Sequence, residues 1–195
     1  YGIASAMKFI HSLNILHRDL KPDNILIDEY LNPVIADLGL AMDLSLFDYK
    51  YENNIAGTLV YMSPEAIQNY EYTKKGDVYS YGIIVYQIIT AELLYPDVEK
   101  CNFHKIANFV VNGDRPKFRF PIPECYKSLI ESCWDQNPKK RPSFDDIVDF
   151  LKNDPRFREE IDEDQFDDYI EFIDKYINES DSDDFQFNID EFIRN

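Results

Sequence analysis

The chain is poor in the residues that build disulfide frameworks, zinc sites and membrane spans. Its 195 residues include three cysteines, Cys101, Cys125 and Cys133, without any C-x-x-C spacing. That pattern predicts reduced, packed thiols in the cytoplasm and not a disulfide framework or a cysteine zinc site. The longest apolar run, residues 82–89, is too short to cross a bilayer. The first residues carry no initiator Met and no targeting signal, so we expect a cytoplasmic protein whose sequence starts within a domain.

Positive charge is also scarce. The chain has 20 Lys and Arg against 37 Asp and Glu, a net charge of −17. Nucleic acids and anionic membranes need a basic face to neutralise phosphate, so we expect neither as a partner. Residues 153–195 alone carry −12. The hydrophobic content of 45% supports one globular domain, predicted at residues 1–152, followed by an acidic tail at residues 153–195.

The apolar spacing predicts a mainly helical domain with a small β-hairpin. Helices are expected over residues 1–13, from Ser63 onward, and over 77–90, 127–133 and 144–151. The helix at 77–90 is apolar on nearly every side, so it should lie at the centre of the core. Two short apolar runs at 24–28 and 32–37 predict the hairpin, and residues 40–62 a long functional loop. In the tail, six apolar residues share one face of a predicted helix, and residues 178–184 are expected to be disordered: Phe166, Tyr169, Ile170, Ile173, Tyr176 and Ile177.

Four polar residues near the hairpin have the chemistry that phosphoryl transfer requires. The reaction needs a carboxylate for the acceptor hydroxyl, a cation near the migrating phosphate, and magnesium. Asp19 can provide the carboxylate and Lys21 the cation. Asn24 and Asp37 offer the oxygen ligands that magnesium prefers. A chance cluster of acidic residues in a hairpin is the alternative interpretation, and the motif spacing disfavours it.

Residues 17–24, His-Arg-Asp-Leu-Lys-Pro-Asp-Asn, followed by Asp37-Leu38-Gly39, resemble the catalytic and metal loops of eukaryotic protein kinases. The departure is Leu38, where the family has Phe. The resemblance implies an α+β kinase fold, ATP and Mg²⁺ as cofactors, and transfer of the γ-phosphate to protein substrates. It also implies that Leu26 forms the floor under the adenine ring; an ordinary core leucine is the other interpretation, and the two are compatible. His17 and Leu38 would pack as spine residues, with Gly39 completing the metal loop.

Later segments resemble the same family in the same order. Residues 57–65 are similar to the peptide-positioning segment that ends in A-P-E, with Ser63 for Ala, and Asp77 would hold the backbone of the catalytic loop. Glu65 and Arg141 would form a buried ion pair, although either residue alone is more often exposed. Lys21 together with Thr58 resembles the pattern of Ser/Thr kinases and not that of tyrosine kinases. Residues 133–135 and 141–144 are most similar to its tyrosine-kinase-like group.

Arg18, beside Asp19, suggests control by phosphorylation of the activation loop, because guanidinium groups pair well with phosphate. The acceptors within the loop would be Ser45, Tyr49 or Tyr51. For each of them, an ordinary loop residue is the alternative interpretation.

The sequence contains no G-x-G-x-x-G and no V-A-I-K, which the family places N-terminal to the catalytic loop. We therefore expect the kinase N-lobe to be absent from this chain and the chain alone to be inactive or nearly so. Three interpretations follow. The first is a fragment or truncated form of a working Ser/Thr kinase. The second is a catalytically silent C-lobe that acts as a binding module, with its acidic tail on a basic partner, and the third is an inhibitor that competes for the substrates of full-length relatives. The intact catalytic residues favour the first.

Overall fold

The computed structural model describes residues 1–45, 56–95, 103–159 and 161–180. Within these ranges the architecture is mainly helical, as predicted, with two small antiparallel sheets. The helices are α1 (Gly2–Ser12), α2 (Pro64–Asn69), α3 (Lys74–Thr90), α4 (Phe103–Val111), α5 (Glu124–Cys133), α6 (Phe144–Asn153) and α7 (Glu163–Ser180). The strands are β1 (Ile15–Leu16), β2 (Ile25–Ile27), β3 (Pro33–Ile35) and β4 (Met42–Asp43).

Helix α3 forms the centre of the core. Every residue from Asp77 to Tyr86 is buried, which confirms the central helix predicted from its apolar surface. Its neighbour α5 contributes Ile130 and Cys133, both 0% exposed, to the same cluster. In the last turn of α3, Ile88 is 61% exposed, whereas Ile89 packs partly buried against the core. A helix in this position provides a rigid base for residues at its N-terminal end.

The predicted hairpin is formed by β2 and β3, which pair in the register Ile25 to Ile35 and Ile27 to Pro33. Asp28 organises the turn, because its Oδ1 accepts backbone N–H groups of Tyr30 and Asn32, both at 2.8 Å. The second sheet pairs β1 with β4 and was not predicted. Each of these strands has only two residues, which is too short for an alternation of apolar and polar residues to show in the sequence.

Helix α4 was not predicted either, although Ile106 and Val110 lie at helical spacing. The other helices begin close to their expected positions. Ser63 is the residue before α2, and Pro64 occupies its first turn. Ser143 starts α6 through a capping box in which Ser143 and Asp146 each accept the other's backbone N–H.

Helix α7, in the predicted tail, packs against α1. Ile170 and Ile173 are buried, which confirms part of the predicted apolar face. The Tyr1 hydroxyl donates to Asp174 Oδ1 at 2.9 Å, and Lys152 Nζ lies 2.7 Å from Asp174 Oδ2. The helix continues to Ser180, so the prediction of disorder is wrong for Asn178, Glu179 and Ser180; the backbone there has regular helical hydrogen bonding. Residues 181–184 lie outside the described part of the chain.

Cys125 and Cys133 are buried and reduced, whereas Cys101 lies outside the described residues. In the ranges given above, no helix is both long and apolar enough to cross a membrane.

Candidate functional site

Asp77, in the first turn of α3, holds the loop between β1 and β2 in place by hydrogen bonds. Its Oδ2 accepts the backbone N–H of His17 at 3.0 Å, and its Oδ1 accepts that of Arg18 at 3.0 Å. His11 Nε2 lies 2.9 Å from Asp77 Oδ2. Because Asp77 is only 3% exposed, these partners offset the cost of burying its charge. The loop therefore rests on the central helix of the core, through the contact that the resemblance implied for Asp77.

Asp19 is held at both carboxylate oxygens. The backbone N–H of Thr58 donates to Oδ1 at 2.7 Å, and Lys21 Nζ lies 2.8 Å from Oδ2. Asn24 Nδ2 donates to the Asp19 carbonyl at 2.8 Å and also lies 3.3 Å from Oδ2. Burial raises the pKa of the Asp19 carboxyl, but hydrogen bonds from Lys21 and Thr58 outweigh it, so the pKa lies below its ordinary value. The group is a carboxylate at neutral pH.

Lys21 bridges two segments that are far apart in the sequence. Its Nζ contacts Asp19 and also donates to the Thr58 hydroxyl at 3.0 Å. The hydrogen bond to Asp19 raises the pKa of Lys21 above its ordinary value. The ammonium group is therefore fixed beside the carboxylate. Thr58 brings the loop of residues 40–62, named the activation segment below, to the same point.

The hairpin places Asp37 beside Asn24. The backbone N–H of Ala36 donates to the Asn24 carbonyl at 2.9 Å, so Asp37, one residue later, leaves β3 next to the start of β2. The negative charge of Asp37 is also one of the smaller contributions to the raised pKa of Lys21. Asp37 is exposed and has a left-handed φ of 57°. The hairpin thus brings the backbone of Asp37 close to that of Asn24.

The remaining residues of the two loops differ in burial. His17 is 0% exposed, and its Nε2 lies 3.2 Å from the Ala36 carbonyl, so it packs between the catalytic loop and β3. Leu38 is half-buried, and Gly39 donates its N–H to Asp37 Oδ1 at 3.2 Å. Leu26 is 55% exposed on the hairpin. Its alternative interpretation as a core leucine is therefore wrong, because β2 presents this side chain outward.

Gly57 allows the activation segment to reach Asp19. Its φ is 106°, and a Cβ at this position would lie 2.5 Å from the backbone oxygen of Arg18. Only glycine adopts such a φ without strain and tolerates so close an approach. This glycine therefore makes possible the contact between the next amide, that of Thr58, and Asp19.

Arg18 lies against Tyr72, with its guanidinium carbon 5.4 Å from the ring centroid, and its Nε donates to the Leu40 carbonyl. Among the predicted phosphate acceptors, Ser45 is exposed, and its backbone N–H and hydroxyl bond Asp43 Oδ1 at 2.7 and 2.6 Å. Tyr49 and Tyr51 lie outside the described residues. Phosphorylation at any of these positions stays a prediction.

Glu65 and Arg141 form the expected ion pair. Arg141 Nη1 and Nη2 lie 2.6 and 2.9 Å from the two Glu65 oxygens, and the Arg141 side chain is 0% exposed. Arg141 also donates to the carbonyls of Asp135 and Lys75, and its guanidinium carbon lies 5.2 Å from the centre of the Tyr79 ring. The interaction ties the start of α2 to the segment before α6.

The oxygen atoms of Asn24 and Asp37 are ligands of the kind that magnesium prefers. No cluster of three or more His, Cys, Asp or Glu side chains that could hold a metal occurs in the described ranges. Magnesium does not need such a cluster, since it keeps waters and binds through one or two protein oxygens plus substrate phosphates. The Asn24 amide nitrogen donates to Asp19, which leaves the amide oxygen for a cation. Asn24 and Asp37 therefore fit the ion that the resemblance implies.

Sequence reasoning missed two residues that support the site. His11, which belongs to none of the motifs, contacts Asp77. Tyr72 contacts both Arg18 and the backbone of Ala56. His11 follows Met7 by four residues on the buried face of α1, and a polar residue on such a face was the available signal. Tyr72 offered none, because nothing in its local sequence shows which segment its hydroxyl reaches.

A family model described as "Protein kinase domain" matches residues 1–151. A probable LIM domain-containing serine/threonine-protein kinase of Dictyostelium discoideum is 41% identical over 150 residues, which cover 77% of this chain and 15% of that protein. The RGS domain-containing serine/threonine-protein kinase A of Dictyostelium discoideum is 37% identical over 152 residues, 78% of this chain and 13% of that protein.

A protein kinase and PP2C-like domain-containing protein of Oryza sativa is 35% identical over 180 residues, 77% of this chain and 27% of that protein. The chain thus spans less than a third of the length of these relatives. The helical architecture with its two small sheets is that of a protein-kinase-like fold, and the match over residues 1–151 shows that the chain belongs to the protein kinase domain family.

Proposed function

We propose that residues 1–152 are the C-lobe of a serine/threonine protein kinase of the tyrosine-kinase-like group. The kinase transfers the ATP γ-phosphate to Ser or Thr hydroxyls of protein substrates. The observation that carries this proposal is the Asp19 carboxylate, held by Thr58 on one oxygen and by Lys21 on the other. A carboxylate in a fixed position can orient an acceptor hydroxyl and take its proton as the oxygen attacks phosphorus. The named relatives with serine/threonine-protein kinase in their names agree with this acceptor class.

Each neighbour of Asp19 has a role in this proposal. Lys21 places positive charge near the migrating phosphoryl group, where negative charge must be stabilised. Asn24 and Asp37 hold magnesium, which neutralises the phosphates of ATP when it is bound. Leu26, exposed beside them on the hairpin, would contact the adenine ring. Thr58 bonds both Asp19 and Lys21, and this contact supports a Ser/Thr acceptor.

These 195 residues contain no Gly-rich loop and no strand lysine of the V-A-I-K type. We propose that both come from residues outside this sequence and that the chain alone is inactive. Activity must therefore be measured on the complete protein that contains these residues, which we propose is cytoplasmic.

The proposal is tested with Asp19→Asn in the complete protein. Asparagine keeps the size of the side chain but cannot take a proton, so phosphorylation of a Ser/Thr peptide should fall about 100-fold or more. Asp23→Asn, an exposed residue of the same loop, is the matched control and should stay near the parent rate. Phosphoamino-acid analysis of the parent's product should give phosphoserine or phosphothreonine. An Asp19→Asn protein that keeps the parent rate, or a product with phosphotyrosine alone, would contradict the proposal.

A further inference from the structure

Tyr72, between α2 and α3, contacts two separate parts of the site through different atoms. Its ring lies beneath Arg18, with the guanidinium carbon 5.4 Å from the centroid. Its hydroxyl oxygen accepts the backbone N–H of Ala56 at 2.6 Å, and the hydroxyl donates to the Ala56 carbonyl at 3.2 Å. The residue is only 4% exposed. The Tyr72 hydroxyl thus forms hydrogen bonds with both the backbone N–H and the backbone carbonyl of Ala56.

That backbone residue lies two positions before Thr58. Gly57, between them, approaches Arg18 so closely that a Cβ would lie 2.5 Å from the Arg18 oxygen. The Thr58 N–H then donates to Asp19 Oδ1 at 2.7 Å. Only the backbone of residues 56–58 separates the Tyr72 hydroxyl from the Asp19 carboxylate, and both ends of this short stretch are fixed by hydrogen bonds.

We propose that Tyr72 is a positioning residue: its hydroxyl fixes the backbone at Ala56, so that the Thr58 amide stays on Asp19, while its ring supports Arg18 in the same loop. The expected effect of Tyr72 on the order of the backbone at residues 56–58 follows from its contacts with Ala56 and Arg18 alone. The effect on the reaction rate rests on the proposed function. Tyr72 does not touch the reacting groups, so its influence passes through the activation segment.

Tyr72→Phe separates this role from ordinary core packing. Phenylalanine keeps the ring under Arg18 and removes only the hydroxyl, which leaves two groups of Ala56 without their partner. Tyr95→Phe is the matched control, because Tyr95 is 7% exposed and its hydroxyl has no hydrogen-bond partner among the described residues. If the Tyr72 hydroxyl had no positioning role, the two variants would behave alike.

The first experiment measures amide hydrogen exchange on the 195-residue chain and needs no catalysis. Removing the hydroxyl breaks its two hydrogen bonds to Ala56, so the Thr58 amide of Tyr72→Phe should exchange roughly 5- to 10-fold faster. The amides of α3 should keep their parent rates. Tyr95→Phe should leave Thr58 unchanged. Equal Thr58 exchange in Tyr72→Phe and the parent would overturn the proposal, and so would equal acceleration in both variants.

The second experiment measures steady-state kinetics on the complete protein. Tyr72→Phe should lower kcat for peptide phosphorylation about 10-fold and leave KM for ATP near the parent value, because the hydroxyl bonds Ala56, which is not among the hairpin residues proposed for the nucleotide. Unchanged kcat in Tyr72→Phe would overturn the positioning role. Asp19→Asn, measured in parallel, separates the two claims. Full activity in that variant would contradict the proposed function, while faster Thr58 exchange in Tyr72→Phe would still support the contact.

Discussion

Asp77 and Arg141 are buried charges with several partners each. Asp77 accepts two backbone N–H groups and lies against His11, while Arg141 pairs with both oxygens of Glu65 and donates to two carbonyls. Charges this deep are costly unless they are paired and hydrogen-bonded. Removing one partner leaves the other charge buried and unpaired. The free energy of unfolding then falls by more than it would if the whole pair were replaced by well-packed apolar residues.

Arg141→Ala tests this difference. The change leaves Glu65 buried without its partner, so the free energy of unfolding should fall by about 3–5 kcal/mol in urea denaturation of the chain. Lys8→Ala is the control, because Lys8 and Asp145 form an exposed ion pair in which the side chains are 46% and 74% exposed. An exposed pair contributes about 0–1 kcal/mol. Equal losses in both variants would show that the burial of Arg141 does not matter.

The residues of the candidate site could be predicted where a short motif carries them. Asp19, Lys21 and Asn24 lie in one loop, and the loop fixes their proximity once its ends are held. The role of Tyr72 could not be predicted, because its hydrogen bond to Ala56 depends on the path of a long segment. Leu26 had two interpretations because an apolar residue in a strand can face inward or outward. What packs against the hairpin decides its exposure, since Ile27, on the opposite face of the strand, is exposed as well.

At the scale of elements, α7 shows what periodicity predicts and what it omits. The spacing predicted a buried face, and Ile170 and Ile173 are buried. It did not show that the face packs on α1. The packing needs Gly2, where a Cβ would overlap the Tyr169 hydroxyl and come within 2.6 Å of the Pro33 ring. A small residue at one end of the chain and a tyrosine near the other end form one contact, which no local pattern encodes.

The attachment of α7 should weaken in acid. Burial raises the pKa of Asp174, but hydrogen bonds from Lys152 and Tyr1 outweigh it, so the pKa lies below its ordinary value. A carboxyl group with a lowered pKa stabilises the folded state above its unfolded pKa, and this contribution is lost as pH falls through the lowered value. Hydrogen exchange of α7 amides should therefore accelerate below about pH 4.

Asp174→Asn provides the matched comparison for this prediction. The variant should show fast α7 exchange already at pH 7, and its α7 exchange should respond less to acid than that of the parent. Exchange must be corrected for the intrinsic pH dependence of amide chemistry by using α3 as the internal reference. Identical corrected profiles for parent and variant would rule out Asp174 as the group that responds.

For the whole molecule, the strongest contrast is between a high negative charge and an exposed apolar hairpin. The net charge is −17, and Leu26, Ile27 and Val34 are 55%, 59% and 46% exposed on one hairpin. We propose that the kinase N-lobe covers this surface in the complete protein. Charge repulsion keeps copies of the chain apart, whereas exposed apolar surface favours their association.

The balance of these two effects predicts salt-dependent association of the 195-residue chain. At low salt the repulsion acts over a long range, but at about 0.5 M it is screened within several ångströms, and the apolar hairpins can then meet. The apparent mass in sedimentation should therefore rise with salt. Replacing Leu26 and Ile27 together by serine should prevent the rise, since both side chains are exposed and their loss leaves the core intact. Phe120→Ser, a change to another exposed apolar residue outside the hairpin, is the control and should still associate. A chain that stays monomeric at every salt concentration, or a control that behaves like the double variant, would show that the hairpin is not the surface responsible.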